Sequence, residues 1–432
     1  MTARRPIRDA LRTVLVLAIV ARFARAQEST TSLTGDASAI VLLTHATGTP
    51  RARSLTEAYL TQPMVNLGLR ASWFQAIGIL NLEGLTLARG ELDLGAWGEG
   101  FVDRRHPHAY LHELMAGAMS KPGPLTASMY AGRGFVPFGS DDPMTRPFVS
   151  YPVDHHLAQV LERLILVGAA RGGPVAAEAA IFDGDEPLDP STPPLTRRFG
   201  DSWSLRGTLF GEALSSVLGG AELAASYAKV KSPEYREGHG LDQRKLHVDL
   251  RFHSESGPFA RYALIEAART TDVDRGRDLY TFDALLGEGG LCLGDAGIAA
   301  RWERSDRPEE ERLLDLFRSA RPATDASILG VTRWTTLSAA VGLPPFSRGA
   351  ARAIPFIEVS RITADRTTAA VFDPVLFYGS NLMWRLSAGI RVAAGHTHGR
   401  MGRYGVASEL PADSTPPTAH EHHPLPTRRC FL

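Results

Sequence analysis

"KLHVDLRFH", residues 245–253, alternates without a break. Lys245, His247, Asp249, Arg251 and His253 fall on one face of an extended chain, and Leu246, Val248, Leu250 and Phe252 on the other, because successive strand side chains point to opposite faces. One face carries both signs of charge, and the other has no polar atom. Two surfaces need such a strand. One is the edge of a soluble sandwich; the other is the wall of a barrel with lipid outside and water inside.

The pattern recurs along the chain. "VNLGLRASW" sets Val65, Leu67, Leu69, Ala71 and Trp73 against Asn66, Gly68, Arg70 and Ser72. "VAAEAAI" (175–181) opposes Glu178 to its apolar neighbours, "WSLRGTL" (203–209) opposes Arg206, and "IAARWER" (298–304) opposes Arg301 and Glu303. "NLMWRLSAGIRV" runs Leu382, Trp384, Leu386, Ala388, Ile390 and Val392 against a face holding Arg385 and Arg391. Globular strands run about five or six residues, whereas a tilted strand crossing a membrane needs about 9–11. Several of these segments reach the longer figure. Turn-rich stretches such as 232–243, 253–259, 270–278 and 343–349 separate them, with longer polar insertions at 183–202 and 303–326. Short turns alternating with long loops are what a membrane barrel predicts. A strand and its connector take about 22 residues, so 27–395 is expected to form an all-β, transmembrane antiparallel β-barrel of roughly 16 strands, with 14 or 18 also compatible. Two stretches read less cleanly. Residues 109–119 space Leu111, Leu114, Met115 and Ala118 as a helix would, and 157–170 fits either element. Their surroundings assign both to strands.

The ends differ in texture. Arg4, Arg5, Arg8 and Arg12 precede an apolar run from Val14 to Ala21, and Ala24-Arg25-Ala26 supplies a small-x-small site. That order predicts a cleaved export signal over 1–26. Residues 396–432 are polar, turn-rich and aperiodic, and are expected to form a disordered tail. The whole chain has 47 basic and 47 acidic residues; the leader holds six of the arginines and one aspartate, so the remainder is acidic by five. Neither figure suggests a nucleic-acid partner. Mean hydropathy of −0.10 does not separate barrel from soluble protein, since lipid-facing and water-facing residues average out. Cys292 and Cys430 are too few for a disulfide framework.

Chemistry-bearing clusters are sparse. "RRHPHAYLHE" brings His106, His108 and His112 close in sequence to Glu113, and "DHH" (154–156), "GHTHG" (395–399) and "HEHH" (420–423) add further imidazoles. Such groups can bind Zn²⁺, Cu²⁺ or Ni²⁺, so His106, His108 and His112 are candidate ligands of a metal-handling barrel. The zinc-protease helix is absent, because Ala116 stands where its second histidine belongs. No G-x-S-x-G elbow, phosphate-binding G-x-x-x-x-G-K-[ST] or C-x-x-C occurs. "DGDEPLD" (183–189) lacks the glycine and distal carboxylate of a calcium loop and reads as an acidic surface loop. No cofactor and no enzymatic activity are expected.

One stretch carries a family likeness. Gly132-Arg133, Phe135, Pro137-Phe138-Gly139 and then Glu162-Arg163 resemble the phosphate-selective (O and P type) outer-membrane porins over about 35 residues. The resemblance implies a homotrimeric barrel with a loop, here within 139–157, folded inward to constrict the pore. Two features depart from it: Lys121, Lys229, Lys231 and Lys245 are the only lysines, and about 40 residues follow the last alternating strand. The expected function is passive diffusion of small hydrophilic solutes or ions, anions included, across a bacterial outer membrane. Arg70, Arg206, Lys245, His247, Asp249, Arg251, Arg301, Arg385 and Arg391 are the candidate pore-lining residues. A metal-handling barrel and a secreted soluble β-protein remain open at this point.

Overall fold

The computed structural model describes residues 31–49, 53–71, 73–86, 108–120, 123–153, 155–187, 190–211, 219–254, 261–310, 328–367, 373–395 and 400–408. The expected leader, His106 and all but 400–408 of the expected tail lie outside them.

The alternating segments become the staves of one closed barrel. In order they are β1 (Thr31–Thr49), β2 (Arg53–Ala71), β3 (Phe74–Asn81), β4 (Leu111–Met119), β5 (Leu125–Gly134), β6 (Arg163–Gly172), β7 (Val175–Phe182), β8 (Ser202–Phe210) and β9 (Ala221–Val230). Then follow β10 (Asp242–Ser254), β11 (Arg261–Asp274), β12 (Arg277–Leu293), β13 (Ala296–Glu310), β14 (Ile328–Gly342), β15 (Phe346–Arg348), β16 (Ala351–Arg366) and β17 (Leu382–Gly395). Each stave pairs antiparallel with the next. The ring shuts where β1 meets β17, from Asp36 opposite Gly395 to Ala46 opposite Arg385. The three-residue β15 only extends a hairpin beside β16, because β14 pairs directly with β16. Sixteen staves therefore form the wall, as the segment count predicts. Closure gives every stave a partner on both sides, which a bilayer requires because it offers the backbone no hydrogen bonds.

An even number of staves places Thr31 and Gly395 on one rim. The connectors of that rim, such as 72–73, 120–124, 173–174 and 294–295, are short. The opposite rim carries the long ones, including 82–110, 135–162 and 183–201.

Burial follows the alternation. On β10, Leu246, Val248 and Leu250 are 53%, 50% and 49% exposed, while Lys245, His247, Asp249 and Arg251 are 4%, 2%, 2% and 5% exposed. Leu67, Ile265, Trp302, Leu337, Ile357, Trp384 and Leu386 continue the exposed apolar belt on other staves. A belt of this kind suits hydrocarbon, and no sandwich core covers it. The packed core lies inside the barrel. There Met115, Tyr130, Phe138, Ile165, Val167 and Phe182 cluster, as do Trp334, Tyr378 and Met383.

Both ambiguous stretches are resolved by packing. Leu111–Met119 is a strand despite its helical spacing, and a bulge explains the broken alternation. Ile79 faces Glu113 while Leu80 faces Leu111, so His112 is an extra residue and both His112 and Glu113 are buried. Residues 157–170 are strand only from Arg163; what precedes belongs to the loop. Arg400–Ser408 departs from the disorder expected of the tail. It is a buried segment ending in a short 3-10 turn, Gly405–Ala407, because its aromatic and arginine side chains find partners in the barrel.

Candidate pore constriction

The loop between β5 and β6 leaves and rejoins the wall through a narrow neck. Val136 N donates to Val160 O at 2.9 Å. Gly139 sits at φ +79°, where a Cβ would collide with the Ala158 carbonyl, so the neck closes only around glycine. Asp142 then caps the short 3-10 turn Pro143–Thr145, accepting from Met144 N at 2.8 Å.

From the neck the loop reaches staves all around the ring. Gly139 N donates to Ser226 on β9, and Arg146 pairs with Glu266 on β11 at 3.1 Å. Val153 N donates to Glu303 on β13 at 3.1 Å, and Val149 N to Glu358 on β16 at 2.9 Å. Ser140 and Ser150 bind the same Glu266 and Glu358. Gln62 on β2 donates to Val149 O at 3.4 Å. A single loop touching the buried face of staves on opposite sides lies in the lumen. Its buried backbone groups need partners there, and the charged wall supplies them.

The wall's cations answer the loop's carbonyls. Arg301 Nη1 donates to Ser150 O at 2.7 Å, Lys245 Nζ to His156 O at 2.8 Å, and Arg391 Nη2 to Pro147 O at 2.5 Å. Arg301 and several other wall cations also meet carboxylates. Arg206 holds Glu178 in a two-bonded fork at 2.5 and 2.7 Å, and Arg301 holds Glu288 at 2.6 Å. Arg385 approaches Glu358 at 3.4 Å, and Arg251 binds Asp141 of the loop at 2.7 Å. His247 lies 3.5 Å from Asp249 and 3.2 Å from Glu266. Of the nine residues singled out by sequence, Arg391 is half-buried, Arg70 is exposed near the short-turn rim, and the other seven are buried.

Arg400–Ser408 lies under the loop. Arg400 bridges Asp141 of the loop at 2.8 Å and Glu222 of β9 at 2.7 Å. Arg403 donates to Thr208 at 3.3 Å and lies 3.7 Å from Glu178. The Tyr404 hydroxyl accepts from Phe135 N at 2.9 Å, and its ring stacks on Tyr130 at 5.8 Å. Gly405, at φ +55°, passes so close to Ser128 that a Cβ would strike the hydroxyl. Burial raises the Asp141 carboxyl, but Arg400, Arg251 and Arg403 outweigh it and hold it well below the usual aspartate range. Burial and the neighbouring Arg206 and Arg400 lower Arg403 to about 10.

The family-motif residues occupy the neck. Gly132, Arg133, Phe135, Pro137, Phe138 and Gly139 lead into the lumen, and Glu162 and Arg163 lead out. Glu162 accepts from Ala109 N at 2.9 Å and from His112 Nδ1 at 2.6 Å. Burial raises its carboxyl; His112, His108 and Arg133 outweigh that and bring it down to about 2. Arg163 pairs with Glu186 at 3.0 Å. The sequence reading missed the wall carboxylates Glu222, Glu266, Glu288 and Glu358, as well as Arg400, Arg403 and Tyr404. Glu288 and Arg301 face each other directly across β12 and β13, a register that single-strand periodicity does not reveal. Arg400 and its neighbours follow the last strand, where no period marks them.

A closed sixteen-stave barrel, apolar outside and charged within, with one loop drawn into its lumen, defines a porin-type fold. No family model matches the sequence, and no curated protein matches it. Among solved structures, OprB of Pseudomonas putida is similar, with a TM-score of 0.51 at 9% identity over 85% of this chain and 94% of that one. An anion-selective porin from Comamonas acidovorans gives a TM-score of 0.47 at 10% identity, covering 85% and 100% of the two chains. The outer membrane protein opdK from Pseudomonas aeruginosa gives 0.41 at 8% identity, covering 84% and 99%. The likeness to OprB is one of fold.

Proposed function

We propose that this chain is a channel of a bacterial outer membrane, reached through a cleaved leader, that passes small hydrophilic solutes by diffusion without catalysis. The observation that carries the reading is the loop 135–162, bonded inside a barrel whose outer belt is aliphatic. A loop held across the lumen narrows the path without sealing the wall, which sets a size limit on what passes. Polarity follows from pairing. Among the described residues, Arg206, Arg251, Arg301 and Arg385 each face a carboxylate, which offsets much of the lumen's positive charge and makes charge selectivity weak. The phosphate-selective likeness extends to the loop neck, and a strong anion preference forms no part of this reading. A homotrimer is the assembly expected of that likeness.

The test is a planar-bilayer recording of protein extracted in detergent, checked first by gel for a mobility shift between unheated and boiled samples. Discrete conductance steps with a small reversal potential in a salt gradient are the expected result. A folded, heat-modifiable barrel that produces no steps would overturn the channel.

A further inference from the structure

We propose that His108, His112 and Glu162 form a binding site for a divalent transition metal, Zn²⁺ fitting best, that staples the neck of the inward loop to stave β4. Sequence spacing alone does not bring these groups together. Two histidines four apart on a regular strand stand about 13 Å from each other. Here β4 begins only at Leu111, and Tyr110 is held off the ladder, donating to Pro190 O at 2.9 Å while its carbonyl accepts from Asn81 N at 3.0 Å. The bulge then turns His112 inward. The two imidazole rings end 5.1 Å apart between centroids.

Their Nδ1 atoms converge on one oxygen. His112 Nδ1 is 2.6 Å and His108 Nδ1 is 3.6 Å from Glu162 Oε1. One ligand atom from each of the three residues lies within 4.8 Å of the others. Donor atoms about 2.0–2.1 Å from a tetrahedral zinc stand a little over 3 Å apart, so small side-chain adjustments complete the set. The three side chains are buried, at 3%, 0% and 6% exposure. Two imidazoles and a carboxylate favour Zn²⁺, Cu²⁺ or Ni²⁺ over Ca²⁺ or Mg²⁺, which take oxygen sets. A fourth position falls to water or to His155, whose ring is 6.2 Å from that of His108.

Arg133, at 3.9 Å, stands on the Oε2 side of Glu162, while Oε1 faces the two histidines and also accepts from Ala109 N at 2.9 Å. The backbone bears an independent mark. Glu162 holds φ +59°, a left-handed conformation that costs a non-glycine residue about 1–3 kcal/mol and concentrates at functional positions. Phe135, where the loop begins, meets the His112 ring edge-on at 5.0 Å. A metal here would join the 82–110 connector, the end of the inward loop and the wall.

The test uses the full folded chain in detergent, stripped with chelator and titrated with Zn²⁺ alone by equilibrium dialysis, with Co²⁺ absorption reporting ligand geometry. One sub-micromolar Zn²⁺ per chain is expected, with tetrahedral Co²⁺ bands. In H108Q and H112Q, affinity should fall more than about 100-fold while heat-dependent gel mobility is kept. Replacing His396, His398, His420, His422 and His423 together with Gln should leave the tight site intact. If H112Q fails to fold, H108Q decides alone, since His108 precedes the strand. Tight binding that survives H108Q, or that disappears with the tail histidines, would overturn the site, as would its absence from the folded wild type. None of these readouts depends on conductance, so the channel reading stands or falls separately.

Discussion

Two segments fill the lumen, and they are held by different chemistry. The loop 135–162 is part of the wall's own hydrogen bonding: its amides donate to Glu303 and Glu358, and its carbonyls accept from Arg301 and Arg391. Arg400–Ser408 relies more on its side chains, namely the Arg400 bridge, Arg403 and the stacked Tyr404, beside two backbone bonds, Gly402 O accepting from Arg206 and Val406 N donating to Ser128. Removing the loop would strand many buried charges at once. Lifting out the tail would take Arg400 from Asp141 and Glu222, and Asp141 keeps Arg251. The loop is therefore the more widely anchored of the two, and the tail is expected to come away while the barrel stays shut.

The largest test of that contrast is a chain ending at Gly395. Its barrel should still show a heat-dependent gel shift, and its single-channel conductance should rise several-fold over the full chain. Equal conductance would mean that the tail does not narrow the path. A smaller effect is expected from Arg400→Gln. It takes the Arg400 guanidinium from buried Glu222 and Asp141, and breaking a buried pair costs up to about 3–5 kcal/mol. That cost should fall on tail docking, seen as flickering between the two conductance levels with the melting temperature of the barrel nearly unchanged. A large drop in melting temperature would show instead that the tail is structural.

Acidification should act least and latest. Asp141 and Glu162 both hold carboxyls below their ordinary values of 3.8 and 4.5. A depressed carboxyl contributes stability that is present above its unfolded pKa and lost as pH falls through its folded one. Conductance should thus be flat from pH 7 to about 5 and become larger and noisier below about 4. A change centred near pH 6 would point instead to Asp183, whose carboxyl burial pushes up to about 6.

Much of the wall was legible in the sequence, because a period of two is a local property. Lys245 to Phe252 needed no partner to show which face was which. Stave length then favoured membrane over sandwich, and segment spacing pointed to roughly sixteen staves, with 14 or 18 also compatible. What escaped was everything set by register or by return of the chain. The Arg206–Glu178 and Arg301–Glu288 pairs depend on which residue lies opposite which across two strands. His112 and Glu113 share the inside only because a bulge adds a residue at that point. Arg400 to Ser408 carries no periodic mark because its partners are scattered over β5, β7, β8, β9 and the loop.

The seam between β1 and β17 also constrains the order in which the molecule can be made. Asp36 waits for Gly395, so the ring cannot shut until the final stave exists, and contacts this distant in sequence form slowly. The inward loop, which lies about a third of the way along the chain, takes partners on β2, β16 and β17. Until those last staves arrive, its polar backbone must stay hydrated or be sheltered by another protein. Local pairing of neighbouring staves followed by late zippering at the seam is the order this topology favours.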